Sequence, residues 1–265
     1  MLRYIIMPKK PGSKRGTTFI KKVKEVVREE LQEELEEKTA VIGVQSMTLG
    51  SSSIPHGNVS LSSNFIRLFP FISQGNAQYN ARVGNEIRLK SVDIKMLLNF
   101  KEGDDDASNY HDSSLGVRVM ILRQKDNNDA AGFVGDSQTN KLLENGSIST
   151  AGPSSFTGTT LNLLQKINRD QFSVRYDKVF YMDRSRKFNT SNLAFNRPPR
   201  PTFMSHRLTF GKNGLKLTYG DGASDSPTNF PYVMVIGYAS TIDQNAPLNS
   251  ILEYSYTANA SYTDA

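Results

Sequence analysis

The sequence predicts an all-β domain, an antiparallel sandwich or barrel, preceded by a charged arm that carries a short amphipathic helix. Three observations lead there. Apolar residues alternate in short runs from about residue 58 to residue 256, no repeated helical segment lies between those runs to act as a parallel crossover, and the helical period is confined to the stretch before Thr39.

The arm comes first. Residues 1–24 hold Arg3, Lys9, Lys10, Lys14, Arg15, Lys21, Lys22 and Lys24 and no acid, a local charge of +8 that exceeds the +6 of the whole chain. Pro8, Pro11, Gly12 and Gly16 favour an extended backbone here. From Thr17 to Lys38, Ile20, Val23, Val27, Leu31 and Leu35 recur every three or four residues, which predicts an amphipathic helix. Its charge runs from Lys to Glu, against the helix macrodipole, so packing must help to hold it. A stripe one residue wide suits a second helix or a groove better than a membrane, and its Glu-rich end would be repelled by anionic lipid.

Eight strands follow. The first spans about 58–72, with Val59, Leu61 and Ser63 alternating and Phe65, Phe69 and Phe71 set against Ile66, Leu68 and Ile72. Between Glu86 and Lys101 the phase changes, Ile87 and Leu89 against Val92, Ile94, Met96, Leu98 and Phe100, and a bulge near Lys90 and Ser91 reconciles the halves. Leu115 to Ile121 and Val174 to Met182 are half-buried strands. His206–Phe210 and Leu215–Tyr219 flank Gly211-Lys212-Asn213-Gly214, which predicts a hairpin. Tyr232–Tyr238 is apolar on both faces, as a central strand is, and Leu252, Tyr254 and Tyr256 mark the last. The connection from Asp126 to Gln171 is too long to be structureless, and Leu161, Leu164 and Ile167 point to short helices in it. Greek-key sandwiches with long loops at one end include the jelly rolls.

Composition closes several function classes. With no Cys there is no disulfide framework, thiolate metal site or cysteine nucleophile. No apolar run approaches the roughly 20 residues of a spanning helix, and Tyr4–Met7 is too short for a secretory core of about 7 residues, so the expectation is a soluble, unsecreted chain without membrane insertion. The N-x-Ser/Thr matches at Asn58, Asn145, Asn189 and Asn259 then read as chance.

Residues 39–265 carry 22 bases and 19 acids, so the body is nearly neutral. A cationic arm on such a body fits a densely anionic partner, nucleic acid or a membrane surface; the plain alternative is a solvated tail. Asp104, Asp105, Asp106, His111 and Asp112 have calcium-compatible chemistry but no EF-hand spacing, and read as an acidic loop without a metal. His56, His111 and His206 lie in separate segments, and no nucleophile, phosphate or dinucleotide motif is present, so no catalytic residue, cofactor or enzyme activity is predicted. A second basic cluster, Arg184, Arg186 and Lys187 with Phe188, Phe195, Arg197 and Arg200, has the interleaving that binds bases and phosphates, although Pro198, Pro199 and Pro201 equally describe a rigid surface connection.

In order and local wording the chain resembles the capsid proteins of circovirus-like CRESS-DNA viruses, whose circular single-stranded DNA genomes encode a replication protein. A basic arm leads to an apolar strand ending in Ser73-Gln74-Gly75, then Arg82-Val83-Gly84-Asn85-Glu86-Ile87, similar to that family's "QG … R-[IV]-G-N-x-[IV]" segment. Leu89 to Phe100, Val117 to Leu122, Tyr176-Asp177-Lys178-Val179-Phe180 and Leu217-Thr218-Tyr219 resemble its later strands, so the likeness covers about 58–258. The arm departs from the pattern, being short, Lys-rich and followed by acids.

The resemblance implies a single eight-stranded jelly roll of the viral capsid type over 40–265, behind an arm and helix over 1–39. It implies self-assembly into an icosahedral shell of sixty copies with T=1 symmetry, a packaged single-stranded DNA genome bound by the eight arm cations, and location in the virion and, during assembly, the host nucleus. The same Lys/Arg run would serve a nuclear import receptor, and Met7-Pro8-Lys9-Lys10 would be a natural start for such a protein. The order of charge in the helix further suggests that the Glu-rich half of one arm pairs with the Lys-rich half of another. The competing readings are a jelly-roll carbohydrate-binding module and a stand-alone single-stranded-nucleic-acid-binding protein.

Overall fold

The computed structural model describes residues 20–24, 26–27, 37–48, 65–75, 79–100, 114–125, 142–145, 152–183, 200–220, 224–230, 232–242, 247 and 251–264. The chain divides into two units, Met1–Glu37 and Lys38–Ala265. In the first, residues 20–24 and 26–27 are helical and form α1, with Ile20, Val23 and Val27 exposed along the predicted stripe.

The helix expected to reach Lys38 stops short of it, because strand β1 occupies Glu37–Thr48. The run Thr39-Ala40-Val41-Ile42-Gly43-Val44 is β-branched and alternates, with Ala40 buried and Val41 exposed. Lys38, read as the helix end, instead pairs with Asp264 at 2.6 Å. The other strands are β2 (Phe65–Arg67), β3 (Glu86–Phe100), β4 (Ser114–Gln124), β5 (Leu143–Asn145), β6 (Gly152–Ser154), β7 (Phe172–Asp183), β8 (Thr202–Thr209), β9 (Leu215–Thr218), β10 (Tyr232–Ser240) and β11 (Leu252–Asp264), with helix α2 (Thr160–Leu164) before β7.

Two antiparallel sheets form a β-sandwich with the strand order of a jelly roll. One sheet runs β1-β11-β3-β8, with β9 also on β3, and the other β2-β10-β4-β7. Chain neighbours therefore fall mostly in opposite sheets, and the first and last long strands lie side by side. The inward residues of β3 (Val92, Ile94, Met96, Leu98) and β4 (Leu115, Val117, Val119, Ile121) meet Tyr238, Tyr254 and Tyr262 in one core.

Three local expectations hold and two are corrected. β10 is buried on both faces between β2 and β4, as a central strand should be. The register of β3 against β11 steps from Ser91 opposite Ser261 to Leu89 opposite Tyr262, so Lys90 is the extra residue of the bulge. Of the strand expected over 58–72, residues 58–64 lie outside the described residues; β2 ends at Arg67, and the chain does not continue as a strand to residue 72, since Pro70 can donate no ladder hydrogen bond. β8 and β9 do not form the expected hairpin. Both pair antiparallel with β3, β8 along Ser91–Leu98 and β9 along Glu86–Leu89, so the chain loops out at 210–214 and resumes in the same direction. Gly211 and Gly214 have positive φ, and a side chain on Gly214 would sit 2.7 Å from the Leu89 carbonyl, so the glycines serve a loop-out instead of a reversal.

The long connection before β7 holds a short helix, as expected. Of the three residues that suggested it, Ile167 is buried just beyond the helix while Leu161 and Leu164 are exposed on it, and the helix buries Asn162 and Leu163 instead. Leu142, Leu143, Phe156, Leu163 and Ile167 lie over Met120, Leu122, Val233, Val235 and Ala239, which covers the outer face of the four-stranded sheet. Gly237 makes room for this: a Cβ there would stand 2.6 Å from the Phe156 ring.

Burial pushes the Tyr254 phenol up to about 12, with Tyr256 adding to it, and the Tyr262 phenol up to about 12, with Asp264 adding to it. Both hold their protons more tightly folded than unfolded. Their stabilisation is thus complete below the ordinary tyrosine value of about 10 and is lost as pH rises through about 12. Followed by phenolate absorbance, these tyrosines should ionise late and together with unfolding; ionisation of every tyrosine near pH 10 in a chain that stays folded would contradict their burial.

Candidate nucleic-acid interface

Of the eight arm cations, Lys21, Lys22 and Lys24 are exposed on α1. Arg3, Lys9, Lys10, Lys14 and Arg15 lie outside the described residues, as does the Glu-rich half of the expected helix from Arg28 to Glu36. Three lysines in four residues of one helix turn give a dense point of positive charge whose repulsion a polyanion would relieve. In the second basic cluster Arg200 is exposed just before β8, while Arg184, Arg186, Lys187, Phe188, Phe195 and Arg197 fall outside the description. So do Asp104, Asp105, Asp106, His111, Asp112 and His56. His206 sits half-buried on β8 with its ring 4.5 Å from that of Tyr176, and burial lowers its pKa. Among the described residues no group of three His, Asp or Glu side chains could hold a metal ion, and no helix is long and apolar enough to cross a membrane.

The segment that carries the family resemblance is brought together, but as architecture. The Arg82 backbone bonds to Ser73 and Gly75, and Gln74 donates to the Val83 carbonyl, which closes the Gln74-Gly75 turn on the Arg82–Asn85 turn. The Arg82 side chain is fully buried; it donates to Gly84 O at 2.6 Å, Asn85 Oδ1 at 3.1 Å and Ser224 O at 2.8 Å, and its guanidinium lies 4.1 Å from the Tyr219 ring centre. Burial pushes the Tyr219 phenol up strongly, and the Arg82 charge opposes that. Arg118 is likewise internal. It forks onto Asp177 with two bonds of 2.7 Å and donates to the carbonyls of Asn162 at 2.6 Å and Gln165 at 2.7 Å. These arginines hold loops to the sandwich and offer nothing to a ligand.

Among the described residues the outer face of the five-stranded sheet is open. Because Ile87, Leu89, Val92 and Ile94 point inward, the alternate residues Arg88, Lys90, Asp93 and Lys95 point out. The register sets Lys216 beside Arg88, Arg207 beside Asp93, Ser205 beside Lys95 and Phe203 beside Leu97. Lys216 pairs with Glu86 at 2.8 Å and Arg207 more loosely with Asp93 at 3.5 Å. From β11 the face receives Ser255, Thr257, Asn259 and Ser261, with Glu253 near its far end. Sequence reasoning missed this face, since its cations come singly from β3, β8 and β9. The signal was present only as the polar half of each alternation, which a window along the chain cannot add across strands.

These features define a β-sandwich protein with jelly-roll strand order and a cationic leader. No protein-family model matches the chain, and no curated protein matches it. Among solved structures, Merkel cell polyomavirus VP1 in complex with GD1a oligosaccharide aligns over 86% of this chain and 97% of that one, at 9% identity and a TM-score of 0.22. A likeness that distant carries no argument about this chain.

Proposed function

We propose that the chain is a capsid protein of the CRESS-DNA type, whose jelly-roll bodies tile a closed icosahedral shell while the basic arm neutralises single-stranded DNA inside. The observation that carries this reading is the pairing of jelly-roll strand order with charge segregation, +8 over residues 1–24 against a body of 22 bases and 19 acids. A wall that must pack against copies of itself is best nearly neutral, and a tethered cationic segment can follow an irregular polyanion without a shaped pocket. The role is structural and needs no reaction. Nuclear import through the same Lys/Arg run belongs to this reading.

Size-exclusion chromatography and negative-stain microscopy of the purified chain test the shell: closed particles in the void volume are expected, and a monomer at high concentration, as a lectin module would give, overturns it. The arm has its own test. With all eight cations on phosphate, the log-log salt dependence of binding to single-stranded DNA should have a slope near about −6, falling to about −3 when four of them are changed to Gln. A slope indifferent to those changes removes the arm from the interface.

A further inference from the structure

We infer that the outer face of the five-stranded sheet is a second binding surface for single-stranded nucleic acid, independent of sequence and separate from the arm. It extends the reading above, from which it takes the polyanion as partner.

The two sheets differ in what covers their outer faces. The outer face of the four-stranded sheet is covered by the connection before β7, whereas that of the five-stranded sheet is open among the described residues. The body is nearly neutral in sequence, yet this face gathers five cations, Arg88, Lys90, Lys95, Arg207 and Lys216, against Glu86, Asp93 and Glu253. Two of the cations are matched by Glu86 and Asp93. Arg88, Lys90 and Lys95 are left along a single strand, with Arg88 and Lys95 about 20 Å apart at the usual strand rise. Lys90 and Arg88 lean toward the loop-out, donating to Lys212 O at 3.3 Å and Asn213 O at 3.4 Å.

Chemistry between the charges fits the same partner. Hydroxyls and amides fill the rows beside β3, and such groups bond to phosphate and sugar oxygens without reading bases. At the other end Phe203 is 60% exposed next to Leu97, an aromatic platform on the cationic face. A row of cations ending in an exposed aromatic ring is how single strands are held without sequence preference, by phosphate neutralisation and base stacking. A double helix fits less well, because its bases are already stacked and Phe203 would remain wet.

The test uses the full chain with its eight arm cations changed to Gln, so that the two surfaces are read separately, and the probe is a thirty-nucleotide oligothymidylate. Residual binding with a salt slope of about −2, from three phosphate contacts, is expected. Adding Arg88→Gln and Lys95→Gln should weaken it about 25-fold at 0.1 M salt, about fivefold per contact. Phe203→Ser should weaken it about fivefold or more. The same charge change made off the face, Lys125→Gln with Arg169→Gln, should leave it unaltered. No binding once the arm is neutralised, or equal loss from the off-face pair, overturns the inference and leaves the shell and arm intact. Stronger binding of polyglutamate than of oligothymidylate overturns it in favour of an acidic peptide, such as the Glu-rich half of another copy's arm. If the face binds as expected but no particles form, the capsid reading fails and this inference stands.

Discussion

Changing Arg118 to Ala is expected to destabilise the fold by about 2–4 kcal/mol, since it removes a buried guanidinium from a partly exposed carboxylate and from two carbonyls that then lack a donor. Arg118 is a β4 residue with a 4% exposed side chain, and it joins three segments at once. Toward β7 it forks onto Asp177; toward α2 it supplies donors to two carbonyls at the helix end. Alanine leaves the Asp177 carboxylate without its counter-charge and two carbonyls without a donor, while the cavity cannot refill itself with water at no cost. A double change of Arg118→Met with Asp177→Leu separates the parts. It removes the charge pair together with its desolvation cost, so stability should recover partway, short of wild type because the carbonyls of Asn162 and Gln165 still lack their donor. Chemical denaturation of all three proteins measures this; a single change costing less than 1 kcal/mol would show that Arg118 is solvated.

The second large effect is at Phe156, whose change to Ala is expected to cost about 3–5 kcal/mol, as large aromatic truncations in packed cores do. The ring is fully buried and seated where Gly237 has no side chain. Gly237→Val should be as harmful for the opposite reason, since the added methyl groups meet the ring. Combined, the two should cost less than their sum, because valine fills part of the space that phenylalanine vacated. Additive losses, read as shifts in denaturation midpoint, would mean that the two positions do not touch. Both experiments probe one design feature: the long connection is part of the fold, and what it covers determines which sheet face stays open.

How much of this could be read beforehand follows from the range of each cause. β3, β4, β10 and β11 were legible because alternation records inside and outside residue by residue, and the step of phase in β3 placed its bulge at Lys90. β10 could be assigned to the centre of a sheet because it is apolar on both faces. The arm was legible because eight cations and no acid in 24 residues need no tertiary structure to act together. β1 was missed since a stripe of Leu and Glu ran up to it and its own alternation is short. The β8–β9 hairpin was a wrong inference for a physical reason: Gly-Lys-Asn-Gly permits positive φ, but permission does not say whether the chain reverses or loops out, and the edge of β3 was there to receive both strands.

Local patterning was therefore enough to settle the class of fold, the alternation of its strands and the cationic leader, because each depends on residues within a few positions of one another. Which strands are neighbours, which sheet face is covered and which side chains gather into one charged surface arise only on folding. They depend on segments more than a hundred residues apart, as Arg88 beside Lys216 shows, and nothing near either residue records the other.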